Sequence, residues 1–267
     1  MDILELRKQP HLSVSSVNSY IDCGLQYKFS KIEKLKPDFL SDNLVFGSSI
    51  HRILAEFNQE KMIGNVLSSD ELETMFKQDW ERSANDREDI QYSKGKSYRV
   101  LLSQGVKLLT EFIKSVPEDD NTIVAIEEPF KFDIEGLDIP LIGVMDLVEE
   151  DPDGSLIITD YKTSKRAMSL NEVDKNFQLT VYYTAAKANG YADREVNLKF
   201  DCLIKTQKPK FEQIYTCRSY DHTVRALKKI KYVYDGILKG VFVPNDNSWR
   251  CSGCSYKSHC DNWFNNE

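Results

Sequence analysis

The order of periodic segments predicts an α/β fold of the α+β or mixed kind, a sheet-bearing core with helical additions. Three observations carry that expectation. Helical apolar spacing dominates from Leu12 to Val116, strand-like runs take over after Thr122, and Asp151, Pro152, Asp153 and Gly154 form the strongest hairpin turn signal in the chain. At 267 residues, 41% hydrophobic and 29% charged, the chain can bury a full core and sits at the upper end of single-domain size. One domain over residues 1–267 is expected, with a mainly helical part at 12–116, a sheet-bearing part at 122–240 and a tail at 244–260.

The first helix opens at Ser13, a good N-cap, and runs to Phe29 with a break suggested at Cys23-Gly24. Lys28, Lys31, Lys34 and Lys36 follow as a small basic cluster, either a solvated face or a phosphate contact. Leu44 to Gln59 reads as a helix in which Gly47 and His51 share a face, the glycine allowing another backbone close to the imidazole. On the helix alone, His51 is equally readable as an ordinary helix histidine. Ser69 to Val116 reads as two helices separated near Asn85–Asp89, and Lys94, Lys96, Arg99 and Lys107 form a second basic run. Pro117 to Asn121 marks the change to strands at Thr122 to Phe130, Phe130 to Ile134, Ile139 to Glu149 and Ser155 to Lys162. A helix over Leu170 to Asn189 carries Gln178 and Tyr182 on one face and ends at Gly190. Strands at Glu195 to Lys205 and Phe211 to Cys217, a helix from Tyr220 to Lys239 and a polar tail from Pro244 complete the chain.

A formal net charge of -7 and a pI near 5.3 argue against coating nucleic acid by bulk electrostatics, but leave room for a nuclease whose carboxylates supply part of that charge. No run suits a membrane span and the start lacks a signal-peptide shape, so a cytoplasmic protein with reduced thiols is expected. Of six cysteines, Cys251, Cys254 and Cys260 crowd one end and Cys23 lies near the other; Cys202 and Cys217 read as buried strand residues.

The chemistry concentrates on two strands. Asp146 ends an apolar run, and Asp160 and Lys162, two apart, share one face of the next strand while Tyr161 faces the other. A bare carboxylate in an apolar strand needs a close cation or several hydrogen bonds, and the hairpin brings both carboxylates to one place. Oxygen ligands suit magnesium or manganese, and His51 would shift the preference toward manganese. A lysine beside the ion can orient a water and offset charge in a phosphoryl transition state.

The ordered set Gly47-x-x-x-His51, Gly143-x-x-Asp146, Asp160-x-Lys162 and Gln178-x-x-x-Tyr182 resembles the RecB-like branch of the PD-(D/E)XK nuclease superfamily. Cys23 with Cys251-x-x-Cys254 and Cys260 is similar to the iron-sulfur nucleases of that branch, among them AddB-type nuclease domains and CRISPR adaptation exonucleases. The resemblance spans Leu12 to Cys260. It implies a restriction-endonuclease-like core with a mixed central sheet and a metal-dependent DNA exonuclease acting at ends or on single strands. Repair, recombination, phage DNA processing and CRISPR adaptation are the pathways it suggests. Residue by residue it implies that His51, Asp146, Asp160 and the Tyr161 carbonyl ligate Mg2+ or Mn2+, and that Lys162 assists the attacking water. Gln178 and Tyr182 steady the site, and Glu127 or Glu128 matches a glutamate near it. The four cysteines would hold a [4Fe-4S] cluster and join the tail to Cys23; spacing alone leaves structural zinc open as the alternative. Gly24 departs from the proline often found after the first cysteine. DNA is the implied partner, with an integrase, helicase or recombination protein if the chain is instead a DNA-processing subunit of a larger complex; no membrane is involved.

Overall fold

The computed structural model describes residues 2–265. Its centre is a five-stranded sheet of order β3-β4-β5-β6-β7, formed by Thr122–Phe132, Leu141–Glu150, Leu156–Ser164, Val196–Ile204 and Lys210–Thr216. A second, two-stranded parallel sheet pairs β1 (Leu40–Ser41) with β2 (Ile90–Gln91), too short for alternation to reveal it in sequence. In the large sheet every neighbour is antiparallel except β5 and β6. That parallel pair requires a crossover, supplied by α7 (Leu170–Asp174) and α8 (Phe177–Ala188). The sheet is therefore mixed and flanked by helices, as expected.

Around it stand α1 (Ile3–Lys8), α2 (Val14–Asp22), α3 (Gly24–Tyr27), a π-helical turn at Lys28–Ile32, α4 (Asp42–Met62), α5 (Ser69–Ala84), α6 (Tyr98–Ser115), α9 (Tyr220–Leu238) and α10 (Lys257–Asn265). Two cores form, one on each face. One gathers Leu156, Ile158 and Phe200 of the sheet with α2, α8 and α9; the other packs Leu147, Tyr161 and Leu203 against α4, α5 and α6. Alternation along β5 and β6 sends successive side chains to opposite cores.

The hairpin turn closes as its residues demand. Asp151 Oδ1 accepts from the amides of Asp153 and Ser155, and Gly154 takes the left-handed φ of 86°. β3 is one strand where two were expected, continuous through Pro129; as the edge strand it tolerates a residue with no amide proton. The helix expected at 170–189 is two, because Ser169 and Glu172 form a capping box on α7 and Asn176 separately caps α8. The break at Cys23 is real. Its backbone is extended (φ -163°), and its sulfur accepts from the Gln26 amide to start α3.

Two expectations are corrected. Cys217 is exposed, one residue past the end of β7, whereas Cys202 is fully buried. Gly47 admits no backbone: a Cβ there would meet only the Thr163 hydroxyl, at an ordinary 3.7 Å, because α4 stands off the sheet by that side chain. Close approach does occur at Gly24, where a Cβ would lie 2.8 Å from the Val243 nitrogen and 3.0 Å from Phe242 backbone atoms. Glycine at this position lets the segment before the cysteine tail lie directly on α3.

Candidate active site

The site forms where β4 and β5 separate. Their paired register ends at Leu147↔Thr159. At the next position the Asp146 carboxylate takes over the role of a strand partner, accepting the buried Tyr161 amide at 2.8 Å. This fixes one carboxylate on the backbone of the strand that carries Asp160.

On β5, Asp160 is 1% exposed and begins a closed ring of polar contacts. Lys162 Nζ lies 2.6 Å from Asp160 Oδ2 and donates to Gln178 Oε1 at 2.8 Å. Gln178 Nε2 donates to the Tyr182 hydroxyl at 2.9 Å, and that hydroxyl donates to Asp160 Oδ1 at 3.2 Å. The Gln178 and Tyr182 spacing of one helical turn is what lets one helix face complete this ring. The ammonium stands beside Asp160 Oδ2 without hydrogen-bond alignment, so this buried oxygen is ion-paired yet has no hydrogen-bond donor. Burial pushes the Asp160 pKa up; Lys162 opposes that rise and Asp146 adds to it. Tyr182 is pushed well above the usual phenol range by burial and then by Asp160, so it remains a donor.

From the other face, α4 delivers His51. Asn58, on the same side of α4 two turns later, donates to the buried Tyr161 hydroxyl at 2.8 Å and pins the helix to β5. His51 Nδ1 then lies 3.2 Å from Asp146 Oδ2, with its ring edge-on to Tyr161. Burial lowers the His51 pKa, but the hydrogen bond and charge of Asp146, with Asp160 adding, outweigh it and hold it above the ordinary value.

Of the two candidate glutamates, Glu127 is the one that stands with His51 and Asp146. It lies between the pairs Ile126↔Leu147 and Glu128↔Met145, opposite Asp146, with φ 49°. A left-handed backbone at a non-glycine costs on the order of 1 kcal/mol or more, and here it accompanies a carboxylate aimed at the site. Atoms of His51, Glu127 and Asp146 lie within 4.8 Å of one another. The protein packed around the Glu127 carboxylate, then the Asp146 charge, pushes its pKa up to about 6, although the side chain as a whole stays exposed at the groove.

A family model for the PD-(D/E)XK nuclease superfamily matches residues 11–261. The chain belongs to that superfamily. It is also 25% identical over 280 residues to "Gene 69 protein" of Mycobacterium phage D29, an alignment covering 95% of this chain and 97% of the phage protein. In fold it is similar to the crystal structure of an Eubacterium rectale protein named "Putative exonuclease", with TM-score 0.55 and 14% identity over 91% of this chain and 87% of that one.

Nucleases of this superfamily use divalent metals, and the donor set fits one. Three nitrogen or oxygen donors converge at His51, Glu127 and Asp146, and the neighbouring Asp160 oxygen has no hydrogen bond. Asp160 itself stands outside the group of three that meets within 4.8 Å, on the Lys162 side of the same opening. Two grooves reach this opening. One runs along α4 past Asn43, His51 and Glu127; the other passes Gly143, Gln178 and Tyr182 toward α2. Arg7 of α1 lines both, and its charge acts on Glu127. Sequence reading passed over Arg7 because a six-residue helix before Leu12 carries no motif.

The four cysteines are also brought together. Cys23, Cys251, Cys254 and Cys260 line one cavity of about 220 Å³ with Phe29, Tyr256 and Phe264. The tail is fastened around it: Asn245 donates to the Asp22 carbonyl, Arg250 pairs with Asp22, and the Ser258 amide and hydroxyl donate to Asp38. A short 3₁₀ turn at Trp249–Gly253 and α10 give this tail regular structure. Burial raises the pKa of Cys254 and Cys260, and the neighbouring sulfurs raise them further. Among the described residues no helix is long and apolar enough to cross a membrane.

Proposed function

We propose that the protein is a divalent-metal-dependent deoxyribonuclease of the RecB-like branch, acting as an exonuclease at DNA ends or on single strands. The observation that carries this reading is the junction of the His51, Glu127 and Asp146 group with the Asp160–Lys162–Gln178–Tyr182 ring at an opening fed by two grooves. His51, Asp146, Asp160 and the Tyr161 carbonyl would hold Mg2+ or Mn2+, with Glu127 beside them. When bound, such an ion supplies a water of lowered pKa and offsets charge on the phosphate.

The residues themselves position and polarise. Lys162 is held by Asp160 and Gln178 with its ammonium at the opening, where it orients the attacking water and stabilises charge that develops on the phosphate oxygens. Tyr182 and Gln178 keep Asp160 from rotating. Asp146, fixed on the Tyr161 amide, keeps one carboxylate oriented before substrate arrives.

The four cysteines line one cavity, and their resemblance to the pattern of iron-sulfur nucleases makes a [4Fe-4S] cluster the reading for it. The cluster would be structural, clamping α2 and α3 to the tail. Purified protein incubated with end-labelled DNA should degrade it with Mn2+ or Mg2+ and not with EDTA. Loss of degradation in both Asp160→Ala and Lys162→Ala is expected; full activity in either would overturn the assignment.

A further inference from the structure

A third groove, of about 790 Å³, lies between the cysteine tail and the short β1–β2 sheet. That volume falls within the range of ligand clefts, roughly 300–1,000 Å³. Its walls carry three aromatic rings, Phe39, Tyr92 and Trp249, with Lys94 and Arg250 beside them. Trp249 is 82% exposed, an unusual position for the largest apolar side chain unless it meets something. The Arg250 guanidinium sits 5.4 Å over one face of its ring and is anchored on Asp22. Lys94 is exposed and, among the described residues, forms no ion pair.

This groove adjoins the one at the catalytic opening. Asn43, in the first turn of α4, lines both it and the groove that holds His51 and Glu127. The junction is rigid: buried Asp42 accepts from the Ser93 amide at 2.9 Å and its hydroxyl at 2.8 Å, tying β2 to the start of α4. Lys205 donates to Asn43 at 3.2 Å from the other side. A linear ligand can therefore run from Trp249, over Asn43, to the site and on past Arg7.

We propose that the Trp249 groove is a second binding site for the substrate strand, in which unpaired bases stack on Trp249 and Tyr92 while Lys94 meets a backbone phosphate. Stacking suits this acidic protein because it needs few cations, and it selects single strands because paired bases present no free face. The proposal rests on the nuclease reading for the identity of its ligand. Binding measured without hydrolysis separates the two.

The test titrates the full-length protein in EDTA against fluorescent oligothymidylate of about 20 nucleotides, longer than one single-strand site, and against a blunt hairpin duplex, following anisotropy. Trp249→Ala should weaken oligothymidylate binding by roughly 5- to 100-fold and leave duplex binding unchanged, while Trp249→Phe, keeping a ring, should stay within about threefold. Lys94→Ala, on a separate segment, should reduce the slope of log affinity against log salt by about 0.7. Wild-type binding by Trp249→Ala, an equal loss on duplex, or an unchanged salt slope in Lys94→Ala would each overturn the proposal. Failure of the nuclease reading would show elsewhere, as intact DNA in the metal-supplemented assay.

Discussion

Two sets of charged side chains are buried on the central sheet, and the contrast between them separates a site from a structural network. Asp160-x-Lys162 on β5 has a near mirror image in Lys199-x-Asp201 on the adjacent β6. Lys199 Nζ lies 3.5 Å from Glu149 Oε2 and 3.7 Å from Asp201 Oδ2, and Gln213 donates to Asp201 at 3.1 Å. Both sets leave one buried carboxylate oxygen without a hydrogen bond, Asp160 Oδ2 in one and Glu149 Oε2 in the other. An orphaned oxygen therefore does not by itself mark a site. The difference is access: the Lys162 side chain is 32% exposed at the opening, that of Lys199 only 3%. The first set also meets His51, Glu127 and Asp146, whereas the second is enclosed on the α4–α6 face.

The largest expected effect of breaking the comparison is catalytic. Asp160→Asn should lower kcat by about 1,000-fold or more while raising the melting temperature, because it removes a desolvated buried charge held in place for function. Calorimetry and a single-turnover assay on the same preparation check both halves.

The enclosed set should respond the other way. Lys199→Met leaves Asp201 buried without its cation and Glu149 with only Lys61, 3.9 Å away, and should cost about 3–5 kcal/mol of stability in urea unfolding, with activity per folded molecule unchanged.

Its pH dependence gives a smaller effect of definite sign. Burial, opposed by Lys199, pushes the Asp201 pKa up to about 6. An acid whose folded pKa is raised stabilises most when protonated, below its unfolded pKa near 4, and loses that contribution as pH rises through 6. Wild type should thus lose on the order of 2 kcal/mol relative to Asp201→Asn between about pH 4 and 6.5. A flat difference in unfolding free energy across that window would show that Asp201 is not held protonated.

Among the cysteines the comparison is between clamp and bystander. Cys260→Ser should remove the brown colour and iron content expected of anaerobically purified protein, and Cys217→Ser, exposed beyond β7, should change stability by less than about 0.5 kcal/mol.

The sequence made the β4–β5 hairpin legible because turn chemistry is local: Asp151 and Gly154 satisfy the turn with their own atoms. Helix caps were legible for the same reason at Ser13, and an isolated Asp-x-Lys pair could be placed on one strand face. What sequence could not show was enclosure. Asp160 and Asp201 are buried alike in similar apolar strands, and only the tertiary placement of the helices leaves Lys162 beside one of them at an opening while Lys199 beside the other is enclosed. The placement of Glu127 rather than Glu128 beside His51 and Asp146 was equally hidden, since it accompanies a left-handed residue inside β3. Arg7 and Trp249 carried no motif, and their importance comes from grooves shared between segments distant in sequence.

The most direct test of the central claim is Mn2+ binding by isothermal titration calorimetry to wild type, Asp160→Asn and Asp201→Asn. Wild type and Asp201→Asn should bind one or more ions alike, and Asp160→Asn should bind at least roughly tenfold more weakly, since even a group that only orients a metal's ligands is worth that much. Undiminished binding to Asp160→Asn, or a loss confined to Asp201→Asn, would contradict the assignment of the metal centre to the open side of the sheet.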